Sequence, residues 1–369
     1  MANLDDRLRE ELRRSLRPAD PVELYEDLSK RRGRRRVARK IGAGALVVAV
    51  LAVAAGGFLY FNDVFRGAPA DGGESGDRIS FSTYPLPFPS PTGPTDFAGF
   101  GVYTLDPSSG DATLVSGEPQ AFTPSWSPGG SVLAYAIDGP GSPQDLLGQV
   151  WVVNADGSDP RLLLDVGGSV DSMAWSPDGR SMVIARERAQ IEGQGPVYDV
   201  VIADVASGKI GAPLPIADGV VEVDWSPDGS RLVIARDGQG LSVVDIDGGN
   251  ERSIVDDGSS PAWSPDGRAI AYLARATDGS KVSQVFTVDP DGGTPKQLTT
   301  GLAYANGPSW APDGSAILFG SMQAEYDQFG LLKEPATCLL ETVRVDGTGR
   351  AVLSDAVPED MCVRATAWA

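Results

Sequence analysis

From residue 78 onwards the chain alternates between short apolar runs and polar turns rich in glycine and proline. In each repeat a tryptophan precedes a turn such as "SPDG" at Ser226–Gly229, and an apolar run such as "LVIA" at Leu232–Ala235 follows it. Proline presets φ for the first central position of the turn, and glycine accepts the left-handed conformation that closes the hairpin. The apolar run is typical of a buried strand. Each repeat therefore predicts two antiparallel strands joined by a tight turn.

Two further strands follow within each repeat. In the third repeat "LSVVDIDGG" begins at Leu241 and "RSIVDD" begins at Arg252, with an Asp-Gly turn between them. One repeat thus contains four strands, which we label A to D. The tryptophans that end strand A are spaced by 49, 50, 38, 47 and 58 residues: Trp126, Trp175, Trp225, Trp263, Trp310 and Trp368. Four-stranded repeats of this length predict a β-propeller.

The two ends of the repeat region complete each other. Trp368 is followed only by Ala369, so the last repeat lacks its strand B, whereas "RISFSTY" at Arg78–Tyr84 reads as a strand B without a strand A. Strands C and D of that unit would lie at Gly101–Asp106 and Ala112–Ser116. Pairing the two ends closes the ring and leaves no open edge. We therefore predict an all-β fold, a six-bladed β-propeller closed by its N- and C-terminal strands, over residues 78–369.

The turn residues of each repeat are assigned a structural role. They are Trp126, Pro128, Trp175, Pro177, Asp178, Gly179, Trp225, Pro227, Asp228, Gly229, Trp263, Pro265, Asp266, Gly267, Trp310, Pro312, Asp313, Gly314 and Trp368. The Asp-Gly turns at Asn154–Asp159, Asp245–Asn250 and Asp289–Thr294 resemble the start of a calcium loop, but no glutamate ends a twelve-residue loop there. Hairpin turns account for these aspartates, and no metal ligands are predicted.

The five near-complete motifs read "SWSPGG", "AWSPDG", "DWSPDG", "AWSPDG" and "SWAPDG". In these residues the chain resembles the TolB-like, WD-repeat-related propeller family, and the resemblance extends over about residues 78–369. The propeller of that family is a protein-binding platform in the bacterial cell envelope. The resemblance therefore implies that this chain binds an envelope protein, a peptide or an envelope polymer.

An uncharged apolar run of 21 residues, Ile41–Phe61, precedes the repeats. At 1.5 Å per residue a helix of this length spans a hydrocarbon core of about 30 Å. The basic run Lys30–Lys40 lies directly before it, and the positive-inside rule then places residues 1–40 in the cytoplasm. Residues 62–77 would be a flexible linker to an extracytoplasmic propeller, on a single-pass protein of the bacterial cytoplasmic membrane. The alternative is a signal peptide cleaved at Ala68–Ala70.

The predicted cytoplasmic tail carries a helical stripe of leucines. Leu4, Leu8, Leu12 and Leu16 recur every four residues, and Pro18 follows them. Such a helix would lie on anionic lipid, assisted by the basic run before the membrane. The alternative is docking to a cytoplasmic protein, which would make the chain a signalling protein with a tail like that of an anti-sigma factor.

Charge and composition exclude several kinds of function. Residues 62–369 carry 18 basic and 42 acidic side chains, so the propeller would repel nucleic acid. The chain contains no histidine, which removes Ser-His-Asp catalysis and most zinc sites, and no G-x-S-x-G motif is present. We therefore expect that the chain is not an enzyme and uses no cofactor. A carboxylate-based propeller enzyme acting on polysaccharides or lactones is the alternative.

The connections between strands B and C, which include residues 188–198 and 322–338, are expected to be long and irregular, and they carry apolar side chains. We predict a binding rim of exposed apolar residues there: Phe88, Phe97, Leu146, Tyr326, Phe329 and Leu331. The alternative is that these side chains fold back as a lid over the propeller. Cys338 and Cys362 fall on connections at this same rim, where we predict a disulfide that holds the last strand, with two free thiols as the alternative.

Overall fold

The computed structural model describes residues 78–85, 101–107, 109–118, 121–138, 148–191, 195–236, 238–278, 282–302, 304–326, 332–354, 357 and 361–369. The predicted tail (1–40), membrane segment (41–61) and linker (62–77) lie outside these residues, so they stay predictions. Within the described part, no helix is long and apolar enough to cross a membrane.

The described residues form 24 strands. The first three are β1 (Ile79–Pro85), β2 (Gly101–Leu105) and β3 (Ala112–Ser116). Blade 1 consists of β4 (Ala121–Trp126), β5 (Val132–Asp138), β6 (Gly148–Asn154) and β7 (Arg161–Asp165). Blade 2 consists of β8 (Ser169–Trp175), β9 (Ser181–Ile191), β10 (Gly195–Asp204) and β11 (Lys209–Ile210). Each blade is an antiparallel sheet of four strands.

The remaining blades repeat this pattern. Blade 3 consists of β12 (Val220–Trp225), β13 (Arg231–Arg236), β14 (Gly240–Asp245) and β15 (Arg252–Val255). Blade 4 consists of β16 (Ser259–Trp263), β17 (Ile270–Arg275), β18 (Ser283–Val288) and β19 (Lys296–Gln297). Blade 5 consists of β20 (Tyr304–Trp310), β21 (Ala316–Tyr326), β22 (Leu332–Arg344) and β23 (Ala351–Ser354). The last strand is β24 (Met361–Trp368).

Blade 6 joins the last strand to the first three, in the order β24-β1-β2-β3. Ile79 pairs with Trp368, and the backbones of Arg78 and Ala369 exchange hydrogen bonds of 3.1 and 2.8 Å. The first strand of each blade contacts the first strand of the next, and β24 contacts β4. The predicted six-bladed ring and its closure by the two ends of the repeat region are therefore confirmed.

The core lies between neighbouring blades. Leu232, Val233 and Ile234 of β13 are all fully buried, because both faces of the blade are covered. One apolar cluster, for example, combines Val183 of blade 2 with Trp225 and Leu232 of blade 3. This two-sided burial explains why strand B reads as a continuous apolar run rather than an alternating one.

The repeated turn is held by its own aspartate. Asp228 accepts hydrogen bonds from Ser226 Oγ at 2.6 Å and from the backbone N–H of Ser230 at 3.0 Å. Gly229 has a φ of +72° and donates its N–H to the Ser226 carbonyl at 2.9 Å. A residue with a Cβ meets a steric cost in this left-handed region, so glycine is favoured at this position.

A disulfide joins blade 5 to the closing strand. Cys338 of β22 is bonded to Cys362 of β24, with their Cα atoms 5.1 Å apart. The Cβ that Gly320 of β21 lacks would overlap Val363 of β24, at 2.5 Å from its Cβ. The predicted disulfide is confirmed, and the closing strand packs directly on blade 5.

Two segments differ from the sequence-based expectation. Residues 188–198 and 322–338 were expected to be irregular connections, but β9 pairs with β10 as far as Ile191 and Gly195. In the same way β21 pairs with β22 as far as Tyr326 and Leu332. Backbone N–H and C=O groups form these ladders whatever the side chains are. The sequence of these segments shows no alternation of apolar and polar residues, so it gives no signal for the extra strand residues. In their described residues both segments are therefore paired strands, and the expectation of irregular loops is wrong there.

Candidate functional site

The six innermost strands, one from each blade, surround a central cavity of about 780 Å³. They are β4, β8, β12, β16, β20 and β24. Each of them ends at its tryptophan, next to the rim that carries turns such as Ser226–Gly229, which we call the turn rim. The opposite rim, where β5 ends at Asp138 and β6 begins at Gly148, is called the loop rim.

A β-bulge interrupts every innermost strand. In three blades the bulge contains two residues, of which the second is proline: Thr123–Pro124, Ser260–Pro261 and Gly307–Pro308. The first residue of each has a φ between 46° and 50°. Proline has no N–H to give to a ladder, and a bulge is one of the few places in a sheet that accepts it.

In the other three blades the bulge is a single extra residue. The extra residues are Asp171 in β8, Val221 in β12 and Arg364 in β24. A bulge re-aims the side chain that it carries. All of the bulge residues, of both kinds, line the central cavity. The bulges therefore place these residues in the wall of the cavity.

Hydrogen bonds between neighbouring blades hold the cavity wall in place. Ser172 Oγ donates to the Val223 carbonyl at 3.3 Å and accepts from its N–H at 3.2 Å. Asn306 Nδ2 donates to the Val363 carbonyl at 2.9 Å, and the hydroxyls of Ser309 and Thr366 are 3.0 Å apart. These contacts join blade 2 to blade 3 and blade 5 to blade 6, so they fix the neighbouring strands of the cavity wall to each other at these two junctions.

Four charged residues line the cavity in the described part of the chain: Asp171, Glu222, Asp224 and Arg364. Glu222 accepts hydrogen bonds from the backbone N–H of Ser260 at 2.6 Å and from its hydroxyl at 3.0 Å. Three carboxylates thus face one guanidinium, and the cavity wall attracts positive charge.

Asp224 is held by backbone groups. It accepts hydrogen bonds of 2.8 Å from the backbone N–H of Trp225 and from that of Trp263. Burial nevertheless raises the pKa of Asp224 to about 6, because removal from water penalises the charged carboxylate more than these two donors favour it.

Asp171 lies in a more acidic environment. Burial, together with the nearby carboxylates of Glu187 and Asp138, raises the pKa of Asp171 to about 7, against the opposing charge of Arg364 and a backbone N–H of Glu187. Its Oδ2 atom is buried and has no hydrogen-bond partner among the described residues. Asp171 is therefore the least satisfied carboxylate of the cavity wall.

The neighbours of Asp171 lie at the loop rim. Asp138 accepts hydrogen bonds from Ser169 Oγ at 2.6 Å and from the backbone N–H of Val170 at 3.2 Å, while burial raises the pKa of Asp138. The Arg364 guanidinium lies 4.5 Å from the centroid of the Phe122 ring, in a cation–π contact. Arg364 reaches the water of the cavity, but the surrounding walls desolvate its guanidinium and lower its pKa.

Two smaller cavities extend the site along the loop rim. One of about 400 Å³ adjoins the central cavity, because Val221, Glu222 and Ser259 line both. The other, of about 250 Å³, meets it at Tyr198, on the extended β9–β10 hairpin. The three cavities thus lie side by side from the centre across blade 3 to this hairpin, and we call the two smaller ones the groove.

The structure places the predicted repeat residues at the ends of the innermost strands. Three of the tryptophans donate their indole N–H to a carbonyl of the preceding blade: Trp175 to Ser125, Trp225 to Ala174 and Trp310 to Ala262, at 3.2, 3.2 and 2.9 Å. Among the predicted rim residues, Phe88, Phe97, Leu146, Phe329 and Leu331 lie outside the described residues, and Tyr326 is the last residue of β21. The apolar rim therefore stays a prediction.

Sequence reasoning missed the residues that line the cavity. One signal was available in three repeats, where a proline stands two residues before the tryptophan, at Pro124, Pro261 and Pro308. Such a proline inside a predicted strand indicates a bulge. No comparable signal marks Asp171 or Arg364, because a single-residue bulge is defined only by the register with the neighbouring strand.

The site contains charged groups but no evident metal centre. In the ranges that the structure describes, no group of three or more His, Cys, Asp or Glu side chains is close enough to hold a metal ion. The described wall encloses a water-accessible cavity with a negatively charged lining, and this cavity adjoins the groove.

Comparison with known proteins gives distant relatives. No family model matches the chain. An uncharacterized peptidase of Bacillus subtilis is 27% identical over 193 residues, which are 48% of this chain and 26% of the relative. An uncharacterized protein of Agrobacterium fabrum is 26% identical over 193 residues, which are 48% of this chain and 63% of the relative. The chain thus spans about a quarter of the first relative and less than two thirds of the second.

The match to a protein named as a peptidase corrects one expectation. The absence of histidine and of a G-x-S-x-G motif led to the prediction that the chain is not an enzyme. A relative whose name denotes an enzyme contradicts that prediction, although only weakly, because the match covers 26% of its length. We therefore withdraw the exclusion of an enzymatic activity.

Solved structures agree with the fold. TolB from Acinetobacter baumannii superimposes with a TM-score of 0.59 at 19% identity, over 80% of this chain and 67% of the other. A putative TolB from Agrobacterium tumefaciens gives a TM-score of 0.50 at 18% identity, over 79% of this chain and 98% of the other. The chain therefore has the six-bladed propeller fold of the TolB-like proteins, as its repeated "WSPDG" motif predicted.

Proposed function

We propose that this chain is a membrane-anchored, extracytoplasmic propeller that binds a protein or peptide of the cell envelope at its loop rim. The observation that carries the proposal is the groove that leads from the central cavity, past Val221 and Glu222, to Tyr198 on the β9–β10 hairpin. An elongated groove beside a deep cavity fits an extended segment with one anchoring group better than it fits a small compact ligand.

The proposed location rests on two features. The 21-residue apolar segment Ile41–Phe61 with its basic flank would anchor the chain in the cytoplasmic membrane. The Cys338–Cys362 disulfide supports an oxidising compartment for the propeller. An envelope polymer is the other ligand that this location would permit.

The tail would add a cytoplasmic contact. We propose that residues 1–40 lie on anionic lipid through the leucine stripe at Leu4–Leu16 and the basic run at Lys30–Lys40. A cytoplasmic protein bound there would instead make the chain a transmembrane sensor, and precipitation of residues 1–40 separates the two.

Site-specific photocrosslinking of the full-length chain in living cells tests the binding rim. A photoreactive residue at Tyr198 would lie on the groove, and one at Arg268, whose side chain is exposed beside a repeated turn, would lie on the turn rim as the matched control. We expect one partner to be captured from Tyr198 and not from Arg268, and the purified partner to bind the purified propeller. Equal capture from both positions, or a captured protein that does not bind the purified propeller, would show that the loop rim is not the binding surface.

A further inference from the structure

One of the three carboxylates in the central cavity, that of Asp171, is less well hydrogen-bonded than the other two. Of the three, Glu222 is held by Ser260, and Asp224 by the backbone of Trp225 and Trp263. Asp171 differs from them, since its Oδ2 is buried without a hydrogen-bond partner among the described residues. A carboxylate in this condition gains free energy from any donor that reaches it.

The groups around Asp171 do not supply the missing hydrogen-bond donor or a paired positive charge. Glu187 on β9 and Asp138 on β5 add negative charge, and a backbone N–H of Glu187 donates to Asp171. Arg364 on β24 is the positive group that faces Asp171, and it attracts both aspartates without forming a contact ion pair with either of them in the described residues. The guanidinium is held over the Phe122 ring instead. The wall therefore retains a net negative field at this point.

We infer that the bound partner places a positively charged group, a guanidinium or an ammonium, in the central cavity against Asp171. The inference rests on the proposed function, because it names the anchor of the segment that the groove would hold. Asp171 lines the cavity and is only partly buried, so a ligand in the cavity can approach its carboxylate.

The chemistry of the wall excludes the other ligand classes. An anion would be repelled by the three carboxylates, Asp171, Glu222 and Asp224. An apolar group would cover carboxylates that are already poorly solvated, which costs free energy. A metal ion would need at least three converging ligands, and no such group is present among the described residues.

Binding would also depend on pH. Because the pKa of Asp171 is raised to about 7 by burial and by Glu187 and Asp138, the carboxyl group is partly protonated near neutral pH. A cation favours the charged form, so it would bind with release of a proton and more tightly at pH 8 than at pH 6. Arg364 does not contribute to this pH dependence, because an arginine guanidinium stays charged over this range.

Isothermal titration with a small probe tests the inference directly. The probe is argininamide, its neutral match is citrullinamide, and the protein is the full chain with Asp171→Asn as the test variant. Asp165→Asn is the control, because Asp165 is exposed at the end of β7, away from the cavity lining. We expect argininamide to bind the wild type and Asp165→Asn alike, and Asp171→Asn on the order of tenfold more weakly. Citrullinamide should not bind any of the three.

The outcomes separate this inference from the proposed function. Equal binding of argininamide to wild type and Asp171→Asn, equal binding of citrullinamide, or tighter binding at pH 6 than at pH 8 would overturn the cation site. Displacement of bound argininamide by Ca²⁺ at micromolar concentration would also overturn it, since a metal site would then be present. If Tyr198 captures a partner while argininamide fails to bind, the proposed function stands and the cation site is rejected.

Discussion

Two aspartates of the same repeat family show how placement decides the chemistry of a carboxyl group. Asp228 on the turn rim accepts hydrogen bonds from Ser226 and Ser230, and these bonds lower its pKa to about 2. Asp171 lies on a bulge in the cavity wall, where burial raises its pKa to about 7. The turn aspartates therefore stabilise a hairpin, whereas the cavity aspartate is kept at some cost to the fold, which is typical of a functional residue.

This cost predicts a pH-dependent stability. Since the pKa of Asp171 rises from its ordinary value of 3.8 to about 7 on folding, the native state binds this proton more tightly than the unfolded state does. The free energy of unfolding then falls as pH rises from about 4 to about 7. In Asp171→Asn this fall should be smaller, although Asp224, with its pKa of about 6, continues to contribute in the same direction.

Urea unfolding at pH 5 and pH 8 measures the effect. The variant should gain stability relative to the wild type between pH 5 and pH 8, while it binds argininamide less well. Asp165→Asn should follow the wild type at both values. An equal loss of stability for Asp171→Asn at both pH values would mean that Asp171 supports the fold rather than a ligand.

The turn glycines provide a second test at single residues. Gly229 has a φ of +72°, whereas a Cβ on it would lie no closer than 3.8 Å to Pro177. Backbone strain and not crowding therefore opposes a side chain, and Gly229→Ala should destabilise the fold by about 1–2 kcal/mol. Gly229→Asn should recover part of this loss, because asparagine tolerates the left-handed region. Thermal unfolding of both variants measures the two effects.

Gly117 is the matched control for Gly229. It is not in the left-handed region, and a Cβ on it would meet Leu114 Cδ2 at an ordinary 3.5 Å. Gly117→Ala should therefore be neutral or slightly stabilising. A loss of stability in Gly117→Ala as large as that in Gly229→Ala would show that the positive φ is not the cause.

At the scale of the elements, the sequence predicts the strands well and the bulges poorly. The turn chemistry of "SPDG" and the apolar run after it are both local, so they identify strands A and B in every repeat. The bulges at Asp171 and Arg364 depend on the register between two strands, which local pattern does not contain. The residues that line the cavity were missed for this reason, and so was the extension of the β9–β10 hairpin.

The contact between blades depends on the indole groups. Trp225 Nε1 donates to the Ala174 carbonyl of the preceding blade at 3.2 Å, whereas Trp126 Nε1 has no partner among the described residues. Both side chains are equally buried, at 8% and 9% exposure. Trp225→Phe should therefore cost about 1 kcal/mol more than Trp126→Phe, since only the first substitution breaks a hydrogen bond. Urea unfolding of the two variants measures this difference, and equal losses would mean that packing alone joins the blades.

At the scale of the whole molecule, closing the ring buries the apolar faces of all six blades. Each blade covers the apolar face of its neighbour, so the molecule is complete only when the sixth blade meets the first. That blade is assembled from β24 and β1–β3, with Ile79 and Phe81 of β1 fully buried. Counting strands A to D along the sequence was sufficient to predict this closure, because an unpaired strand at each end leaves one way to remove both edges.

The closure predicts how the propeller responds to cutting and rejoining. A chain of residues 78–354 lacks β24, so the backbone edge of β1 and the side chains of Ile79 and Phe81 become exposed. It should aggregate or unfold without cooperativity. A permuted chain that runs from Met361 to Ala369, through a short Gly-Ser linker, and then from Arg78 to Ser354 keeps every blade, because Arg78 and Ala369 are hydrogen-bonded neighbours. It should unfold as cooperatively as residues 78–369.

Size-exclusion chromatography and urea unfolding compare the three chains. All three carry Cys338→Ser, so that loss of the Cys338–Cys362 disulfide does not distinguish the truncated chain from the others. If residues 78–354 unfold with the same midpoint and slope as residues 78–369, then β24 does not close the ring. If the permuted chain fails to fold while residues 78–369 do fold, the two ends do not meet as neighbours. Either result would also remove Arg364 from the cavity wall, and with it the positive charge that faces Asp171.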